Sequence, residues 1–389
     1  MKQSKQIVLL HAYSRRNSGD GLLVDLSVAL LREALGERTQ VSVVAADPAS
    51  FPEYDDVMAA PVMGYTGRAR LAEAAAVCSR WPMRSVAQLR ERLQAADLVV
   101  GVGGGYLRAR TRAEALKLEL GHMVQMRAAK ASGKPVVYLP QSIGPACAGS
   151  AAVSSAFGAR LTGLLSAYST VFVRDDRSLS LLAGTGRAER APDLAVLEFE
   201  RRHEAVLARA ALRSNAVRHV ALVLREAPSW DAAKRRHYAQ SVQRLAGLLG
   251  SQCRLSFAVQ STGRGNDDAA YYRSLGIEAP LPGLKQLLAE DTPDVVVSVR
   301  LHGALESILH GVPAFHLSYE RKGFGAYGDL HIDDWVDNAA AFDADAVMER
   351  IFRRDAISSF WYSAAGGLDA IRASRARIVA TLRQAAQSD

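Results

Sequence analysis

Long apolar runs are missing from the sequence. The apolar stretches at residues 98–102 and 295–297 are typical of its longest, whereas a membrane-spanning helix needs roughly 20 apolar residues. The first residues lead directly into a strand-like stretch at 7–10, without the apolar segment and cleavage site of a signal peptide. We therefore expect a cytoplasmic protein, with any membrane association limited to the inner face of the membrane.

Cysteine and aromatic residues are also scarce. The three cysteines, Cys78, Cys147 and Cys253, are far apart and form no Cys-x-x-Cys pair, which argues against a disulfide framework or a zinc knuckle. Aromatic residues make up 7% of the chain, and zinc-finger, helix-turn-helix and RNP-like motifs are lacking, which argues against a nucleic-acid partner.

Acidic residues are outnumbered by basic ones, 40 against 48, which gives a net charge of +8. Such a protein suits an anionic partner, for example a phosphorylated metabolite or an acidic membrane surface. The arginines are spread along the chain, so the alternative of ordinary solvated surfaces stays open. The stretch from Arg68 to Arg92, which includes Trp81, is where we expect any peripheral membrane contact.

Short apolar runs alternate with helical patterns along the chain, which is typical of parallel α/β sheets. In the first half we predict strands at residues 7–11, 41–45, 96–102, 136–139 and 170–173. A charged stretch at 198–218 precedes a second series, with strands at residues 219–224, 254–260, 294–299 and 314–317. We predict two Rossmann-like domains, residues 1–205 and 206–345, facing across a cleft, and a helical segment at 346–389 that packs back on the first domain.

Ligands of such sheets bind at the carboxyl ends of the strands, which selects the residues of interest. Gly103, Gly104 and Gly105 follow the third predicted strand, but Tyr106 occupies the place of the last glycine in a dinucleotide-binding fingerprint. We therefore predict no nicotinamide cofactor. The glycines either open a helix whose N-terminus binds an anion or form only a tight turn.

Polar residues follow two other strands of the first half. Asn17 and Asp20 come after the first strand, where Asp20 either caps the next helix or contacts sugar hydroxyls. Arg174 directly follows an apolar strand, and a guanidinium there requires an anionic partner. That partner is Asp175, Asp193 or a ligand.

Arg300 and His302 follow the clearest strand of the second half. An arginine fork binds phosphate or carboxylate, and a neighbouring histidine can carry a proton near neutral pH. His302, Glu306 and His310 are spaced by four residues, but three ligands in a line do not surround a metal, and we expect the helix to begin only at about Ala304. We therefore predict no metal site, and expect Glu306 to orient His302 or to support the helix.

Lys322 lies in a glycine-containing stretch after the last clear strand. We expect a loop there, which either folds over the site and adds positive charge or leaves Lys322 exposed to solvent.

Taken together, these segments resemble the polysaccharide pyruvyl transferase family. The matching pieces are Asn17-x-Gly19-Asp20, Gly103-Gly104-Gly105, Pro140-Gln141-Ser142-Ile143-Gly144, Val173-Arg174-Asp175, Pro192-Asp193 and Ser298-x-Arg300-Leu301-His302. The resemblance spans from about residue 7 to about residue 336, and the order and spacing of the pieces are more specific than any one of them. The resemblance implies a fold like that of GT-B glycosyltransferases, phosphoenolpyruvate as donor, and a sugar of a polysaccharide or a lipid-linked glycan as acceptor.

The resemblance also implies roles for single residues. The donor contacts that it implies are Arg174, Arg300, Leu301, His302, Lys322, Gln141 and Ser142. Some members of the family carry histidine where this chain has Gln141, which cannot carry a proton. The first-domain residues Asn17, Asp20, Gly103, Gly104, Gly105 and Asp193 are expected to bind the acceptor or to be structural.

These assignments imply a reaction without an organic cofactor or a metal. We expect His302 to protonate the methylene carbon of the donor, and Asp20 or Asp193 to act as the base. Two alternatives stay open: a nucleotide-sugar glycosyltransferase, with Glu278 or Glu290 on the ribose, and a non-enzymatic basic protein that binds anionic lipid or nucleic acid. The acceptor sugar, the ketal linkage and the oligomeric state do not follow from the sequence.

Overall fold

A computed structural model describes residues 4–79, 83–146, 151–226, 230–263 and 266–387. The chain divides into two units. Unit 1 comprises Met1–Arg15, Asp20–Leu194 and Ser374–Asp389, and unit 2 comprises Arg16–Gly19 and Ala195–Ala373. The last turns of the C-terminal helix therefore belong to unit 1, where Arg375 pairs with Glu33 at 2.5 Å.

Unit 1 contains a parallel sheet of eight strands. They are β1 (Gln6–Ala12), β2 (Gln40–Ala45), β3 (Val57–Ala59), β4 (Leu98–Gly101), β5 (Gly104–Ala109), β6 (Val136–Ala146), β7 (Thr170–Val173) and β8 (Ala188–Arg190). Seven strands follow the order β3-β2-β1-β4-β6-β7-β8, and β5 pairs with the second half of β6. Every neighbouring pair is parallel, so each connection requires a crossover. α-Helices supply these crossovers except between β2 and β3, where the chain forms only the short 3₁₀ helix Pro48–Ser50.

Helices connect these strands. They are α1 (Ser18–Leu35), α2 (Gly67–Ser79), α3 (Arg84–Ala95), α4 (Arg112–Leu120), α5 (His122–Ala131), α6 (Ala151–Leu165) and α7 (Asp176–Leu182). The apolar core between helices and sheet includes Val99, Leu107 and Tyr138, all with 0% exposure. Strands covered in this way are apolar almost without interruption, which is why the sequence pattern reveals most of them.

Unit 2 contains a second parallel sheet with the order β10-β9-β13-β14-β15. Its strands are β9 (His219–Val223), β10 (Arg254–Phe257), β13 (Val295–Ser298), β14 (Ala314–Ser318) and β15 (Val336–Asn338), and the short strands β11 (Thr262–Gly263) and β12 (Asn266–Asp267) form an antiparallel pair. The helices are α8 (Leu194–Ala211), α9 (Ala232–Gln252), α10 (Asp268–Ser274), α11 (Leu284–Glu290), α12 (Leu301–Leu309), α13 (Arg321–Asp329), α14 (Ala344–Phe352), α15 (Ala356–Gly366) and α16 (Leu368–Ala385).

The predicted parallel α/β architecture is confirmed, but the glycine run and the segment after β6 differ from expectation. Gly104 and Gly105 begin strand β5, so the expectation that this run opens a helix is wrong. Gln141 and Ser142 lie inside β6 and not in a turn after it, because β6 continues to Ala146 while pairing with β5. The strands β3, β5, β8 and β15 were not predicted, since none of them is a completely buried apolar run.

No helix within the described ranges is both long enough and apolar enough to cross a membrane.

Candidate active site

Strand β13 and helix α12 place Arg300 and His302. Val295–Ser298 is completely buried, and Arg300 is the residue that caps the N-terminus of α12. The helix begins at Leu301 and not at about Ala304, so His302 lies in its first turn and not on the preceding turn as expected. The sequence pattern placed the start of α12 too far along the chain because Gly303 is a poor helix former.

Arg300 is held by a carboxylate that the sequence did not identify. Its Nε donates to both oxygens of Asp268, at 3.0 and 2.8 Å, and its Nη2 donates to Asp268 and to Asn266. Both charged side chains are buried, with exposures of 6% and 1%. Nε and Nη2 are thus occupied, so only Nη1 is left to approach a ligand.

Lys322 lies on helix α13, so the expectation of a loop is wrong. The helix is short and glycine-containing, which concealed it in the sequence. The Nζ of Lys322 is 3.0 Å from Glu320, and both side chains are mostly buried. All three predicted donor-binding cations, Arg174, Arg300 and Lys322, therefore have a carboxylate partner within their own unit.

His316, a second histidine near this site, was not predicted. The pKa of His316 is lowered from 6.5 to about 4, mainly by burial and also by the charges of Lys322 and His302, while the hydrogen bond to Ser298 opposes this shift. Its Nδ1 donates to the carbonyl oxygen of Ser298 at 2.8 Å, so Nε2 is the unprotonated nitrogen of the neutral ring. Because their charges act on the pKa of His316, His302 and Lys322 both lie near this ring.

Helix α13 approaches His316 closely at Gly323. A Cβ atom on Gly323 would overlap Nε2 of His316 and Oγ of Ser318. Glycine at this position therefore allows α13, and with it Lys322, to lie against the end of β14.

The residues considered as a metal site have other partners. Glu306 is 3.6 Å from the Nζ of Lys285, and Nδ1 of His310 hydrogen-bonds to the carbonyl oxygen of Glu306 at 2.8 Å. Within the described parts of the chain, no group of three His, Cys, Asp or Glu residues is arranged to hold a metal ion.

The segment Arg16–Gly19 belongs to unit 2. The N–H of Ser18 donates to the carbonyl oxygen of Gln260 at 3.0 Å, and the N–H of Thr262 donates to that of Arg16 at 2.9 Å. The side chain of Asn17 accepts from the N–H of Gly19 at 3.3 Å and so caps α1. Asp20 lies inside the first turn of α1, so the alternative that Asp20 caps this helix is wrong.

Arg174, at the end of β7 in unit 1, pairs with Asp193. Its Nε donates to Ser142 at 3.0 Å and its Nη1 donates to Asp193, while both charged side chains are at most 2% exposed. Asp175 instead caps α7 by accepting from the N–H of Ser178 at 2.9 Å. The buried Nη2 of Arg174 has no hydrogen-bond partner among the described residues.

Gln141 lies beside this pair, on β6. Its Nε2 donates to the carbonyl oxygen of Val102 and, at 2.6 Å, to the hydroxyl of Tyr106. Its buried Oε1 has no partner within the described chain. The side chain is therefore oriented by Val102 and Tyr106, which leaves an acceptor rather than a donor unfilled.

A buried imidazole–phenol cluster in unit 1 was not predicted. Nδ1 of His11 faces Nδ1 of His122 at 3.1 Å, and Nε2 of His11 is 2.6 Å from the hydroxyl of Tyr138. Burial lowers the pKa of His11 well below 6.5 and that of His122 to about 3. Both rings are therefore neutral, and Tyr106 stacks on His122 with ring centroids 4.7 Å apart.

The arginine-rich stretch considered for membrane contact is only partly described. Arg92 pairs with Asp56, so this arginine is already neutralised within unit 1. Arg80 and Trp81 lie outside the described residues.

Comparisons with known proteins relate the chain to one family and to one fold. A model of the polysaccharide pyruvyl transferase family matches residues 17–321, which include the ion-paired arginines of both units. No curated protein sequence matches the chain.

Solved structures give the fold. HepE from Anabaena, in complex with UDP and glucose, superposes with a TM-score of 0.53 at 14% identity, covering 98% of both chains. Trehalose 6-phosphate synthase from Burkholderia multivorans gives 0.53 at 16% identity, covering 99% of both. UDP-GlcNAc 2-epimerase from Neisseria meningitidis gives 0.54 at 12% identity, covering 98% of this chain and 100% of that one. These are GT-B structures, so the predicted GT-B-like fold is confirmed.

Proposed function

Because the chain belongs to the polysaccharide pyruvyl transferase family, we propose that it transfers pyruvate from phosphoenolpyruvate to two hydroxyls of one sugar of a polysaccharide, exopolysaccharide or glycolipid. The product is a cyclic ketal, and inorganic phosphate is released. The observation that carries the proposal is the first turn of α12, where His302 follows the buried, carboxylate-held Arg300.

The reaction balances without an oxidant, a reductant or water. A proton adds to the methylene carbon of the donor and makes the neighbouring carbon electrophilic. One sugar hydroxyl forms a bond to that carbon and loses its proton, and the bond from carbon to the phosphate oxygen breaks. The second hydroxyl then bonds to the same carbon, and its proton is taken up by the phosphate that has left.

His302 is the proposed proton donor to the methylene carbon. Its place in the first turn of α12 brings it to the positive end of the helix dipole, which attracts an anionic substrate. Neutral His316 lies behind it and, with Nδ1 committed to Ser298, does not compete for this role.

Arg174, Arg300 and Lys322 are the proposed anion contacts. The first two are neutralised by buried aspartates, so each offers a directed N–H rather than a net charge: Nη2 of Arg174 and Nη1 of Arg300. A fixed, desolvated donor of this kind stabilises a departing phosphate without reorganisation. Lys322 reaches the donor after it exchanges Glu320 for a phosphate oxygen.

The acceptor contacts are proposed for unit 1 and the segment Arg16–Gly19. Asp193 is buried and paired with Arg174, so we assign it the task of holding that arginine and retain Asp20 as the base. We now assign Gln141 to acceptor binding instead of donor binding. Its unfilled atom is a hydrogen-bond acceptor, which repels phosphate and carboxylate and suits a sugar hydroxyl.

A comparison of ligands by thermal shift tests the proposal against a nucleotide-sugar glycosyltransferase. Phosphoenolpyruvate is expected to raise the melting temperature, because a ligand that binds only the folded state stabilises it. UDP and GDP are expected to have no effect, since Glu278 and Glu290, the residues considered for ribose binding, are both exposed to solvent. Stabilisation by a nucleotide alone would contradict the proposed donor.

A further inference from the structure

Asp268 connects two parts of unit 2 through one carboxylate. Its Oδ2 accepts from the backbone N–H groups of Gln260 and Ser261, at 2.9 and 3.0 Å. The same carboxylate accepts from Nε and Nη2 of Arg300. With 1% exposure, it is satisfied almost entirely by these four donors.

The segment that Asp268 holds is paired in turn with Arg16–Gly19. Ser18 donates to Gln260, and Asn17 forms an isolated antiparallel bridge with Ser261. Gly19 lies directly against His302, because a Cβ on Gly19 would be 2.9 Å from the Cβ of His302. Asp268 thus fixes the side chain of Arg300, which lies two residues before His302 in the chain. Through Gln260 and Ser261, Asp268 also fixes the segment Arg16–Gly19, which packs on His302.

Unsatisfied polar groups indicate that this arrangement serves a ligand. Nε2 of Gln260 and Oγ of Ser18 are buried and have no partner in the described structure. The carboxamide of Gln260 lies at the first turn of α12, with Oε1 2.9 Å from a Cβ built on Gly303. Arg300, the capping residue, gives this helix end no side-chain hydrogen bond. An oxyanion is the chemical group that such donors bind.

We propose that Asp268 is the positioning residue of the donor site: it holds Arg300 and the Gln260–Ser261 segment around His302 and the first turn of α12. The inference rests on the proposed function, because it takes phosphoenolpyruvate as the oxyanion bound there. Asp268 itself does not touch the donor.

The chain offers a matched control at the opposite end of β13. Asp294 precedes this strand and also accepts from two backbone N–H groups, those of Arg218 and His219, and from the side chain of Arg213. Asp268→Asn and Asp294→Asn therefore remove the same kind of carboxylate from the two ends of one strand. Both substitutions are expected to lower the melting temperature.

Donor binding and turnover distinguish the two aspartates. For Asp268→Asn we expect the Kd of phosphoenolpyruvate to rise about 10-fold and kcat to fall about 10-fold or more, since small displacements of binding groups cost up to about 100-fold. For Asp294→Asn we expect less than about a 2-fold change in either.

Asn266→Ala provides a variant that leaves no buried charge. It removes the other partner of Nη2, at 3.0 Å, and should raise the Kd about 2- to 5-fold even if Asp268→Asn does not fold. Unchanged donor binding in both variants, or tighter binding in Asp268→Asn, would overturn the positioning role. If the wild-type protein binds no phosphoenolpyruvate by calorimetry, the proposed function fails and this inference fails with it.

Discussion

Arg174 and Asp193 form an ion pair in which neither side chain is more than 2% exposed. Removing one partner of such a pair leaves an uncompensated buried charge, whereas replacing both with apolar residues can be nearly neutral. The pair therefore provides a test of structure that is separate from catalysis.

We predict that Arg174→Met lowers the free energy of unfolding by about 3–5 kcal/mol. The double variant Arg174→Met, Asp193→Leu should recover most of this loss. Urea denaturation of the two variants measures the difference. Equal destabilisation of the single and double variants would show that the unpaired charge of Asp193 does not lower the free energy of unfolding.

The buried histidines make stability depend on pH. The folded-state pKa of His122 is lowered to about 3 from an unfolded value of 6.5, so its contribution is complete above pH 6.5 and is lost as pH falls toward 3. Between its folded-state and unfolded-state pKa, each such buried histidine changes the free energy of unfolding by about 1.4 kcal/mol per pH unit.

His122→Gln should therefore flatten the fall in unfolding free energy between about pH 6 and pH 4, by about 2–3 kcal/mol. His237→Gln, at an exposed position on α9, is the control and should leave the slope unchanged. Denaturation series at several pH values measure both. An unchanged slope in His122→Gln would mean that His122 is protonated in the folded protein.

Gly323→Ala should lower the free energy of unfolding by about 1–3 kcal/mol, because the added methyl group overlaps His316 and Ser318. The matched control is Gly247→Ala on α9, where a Cβ meets nothing within 4 Å. That change should instead stabilise the helix by about 0.5–1 kcal/mol. Thermal denaturation gives both signs, and a neutral Gly323→Ala would exclude the close approach of α13 to β14.

Glu320→Gln should lower the KM for phosphoenolpyruvate about 2- to 5-fold, since Lys322 no longer has to exchange a carboxylate for the donor. Glu278→Gln, at an exposed position, should leave KM unchanged. Initial rates of phosphate release measure both. A higher KM in Glu320→Gln would show that Glu320 orients Lys322 instead of competing for it.

The sequence predicted the parts of the structure that repeat a pattern. Buried parallel strands such as β7 and β13 are short apolar runs, and the polar residue after each one, Arg174 or Arg300, marks its carboxyl end. The parallel architecture and the candidate residues at strand ends follow from these two signals.

The partners of these residues could not be predicted, because they come from distant parts of the chain. Asp268 is the first residue of α10, directly after the short strand β12, and the sequence suggests an ordinary helix-capping aspartate there. The contact of His11 with His122 joins residues from β1 and α5. One hint for Asp268 was available, because a buried arginine requires a carboxylate partner.

Turnover with phosphoenolpyruvate tests the central claim most directly. The wild-type protein, incubated with phosphoenolpyruvate and a panel of candidate glycans, should release phosphate. The glycan should gain the mass of one pyruvate less one water. His302→Gln should still bind phosphoenolpyruvate but release phosphate at least about 100-fold more slowly, as expected for loss of a general acid. Phosphate release at a near-normal rate in His302→Gln, or a glycan product that lacks the pyruvate mass, would contradict the account.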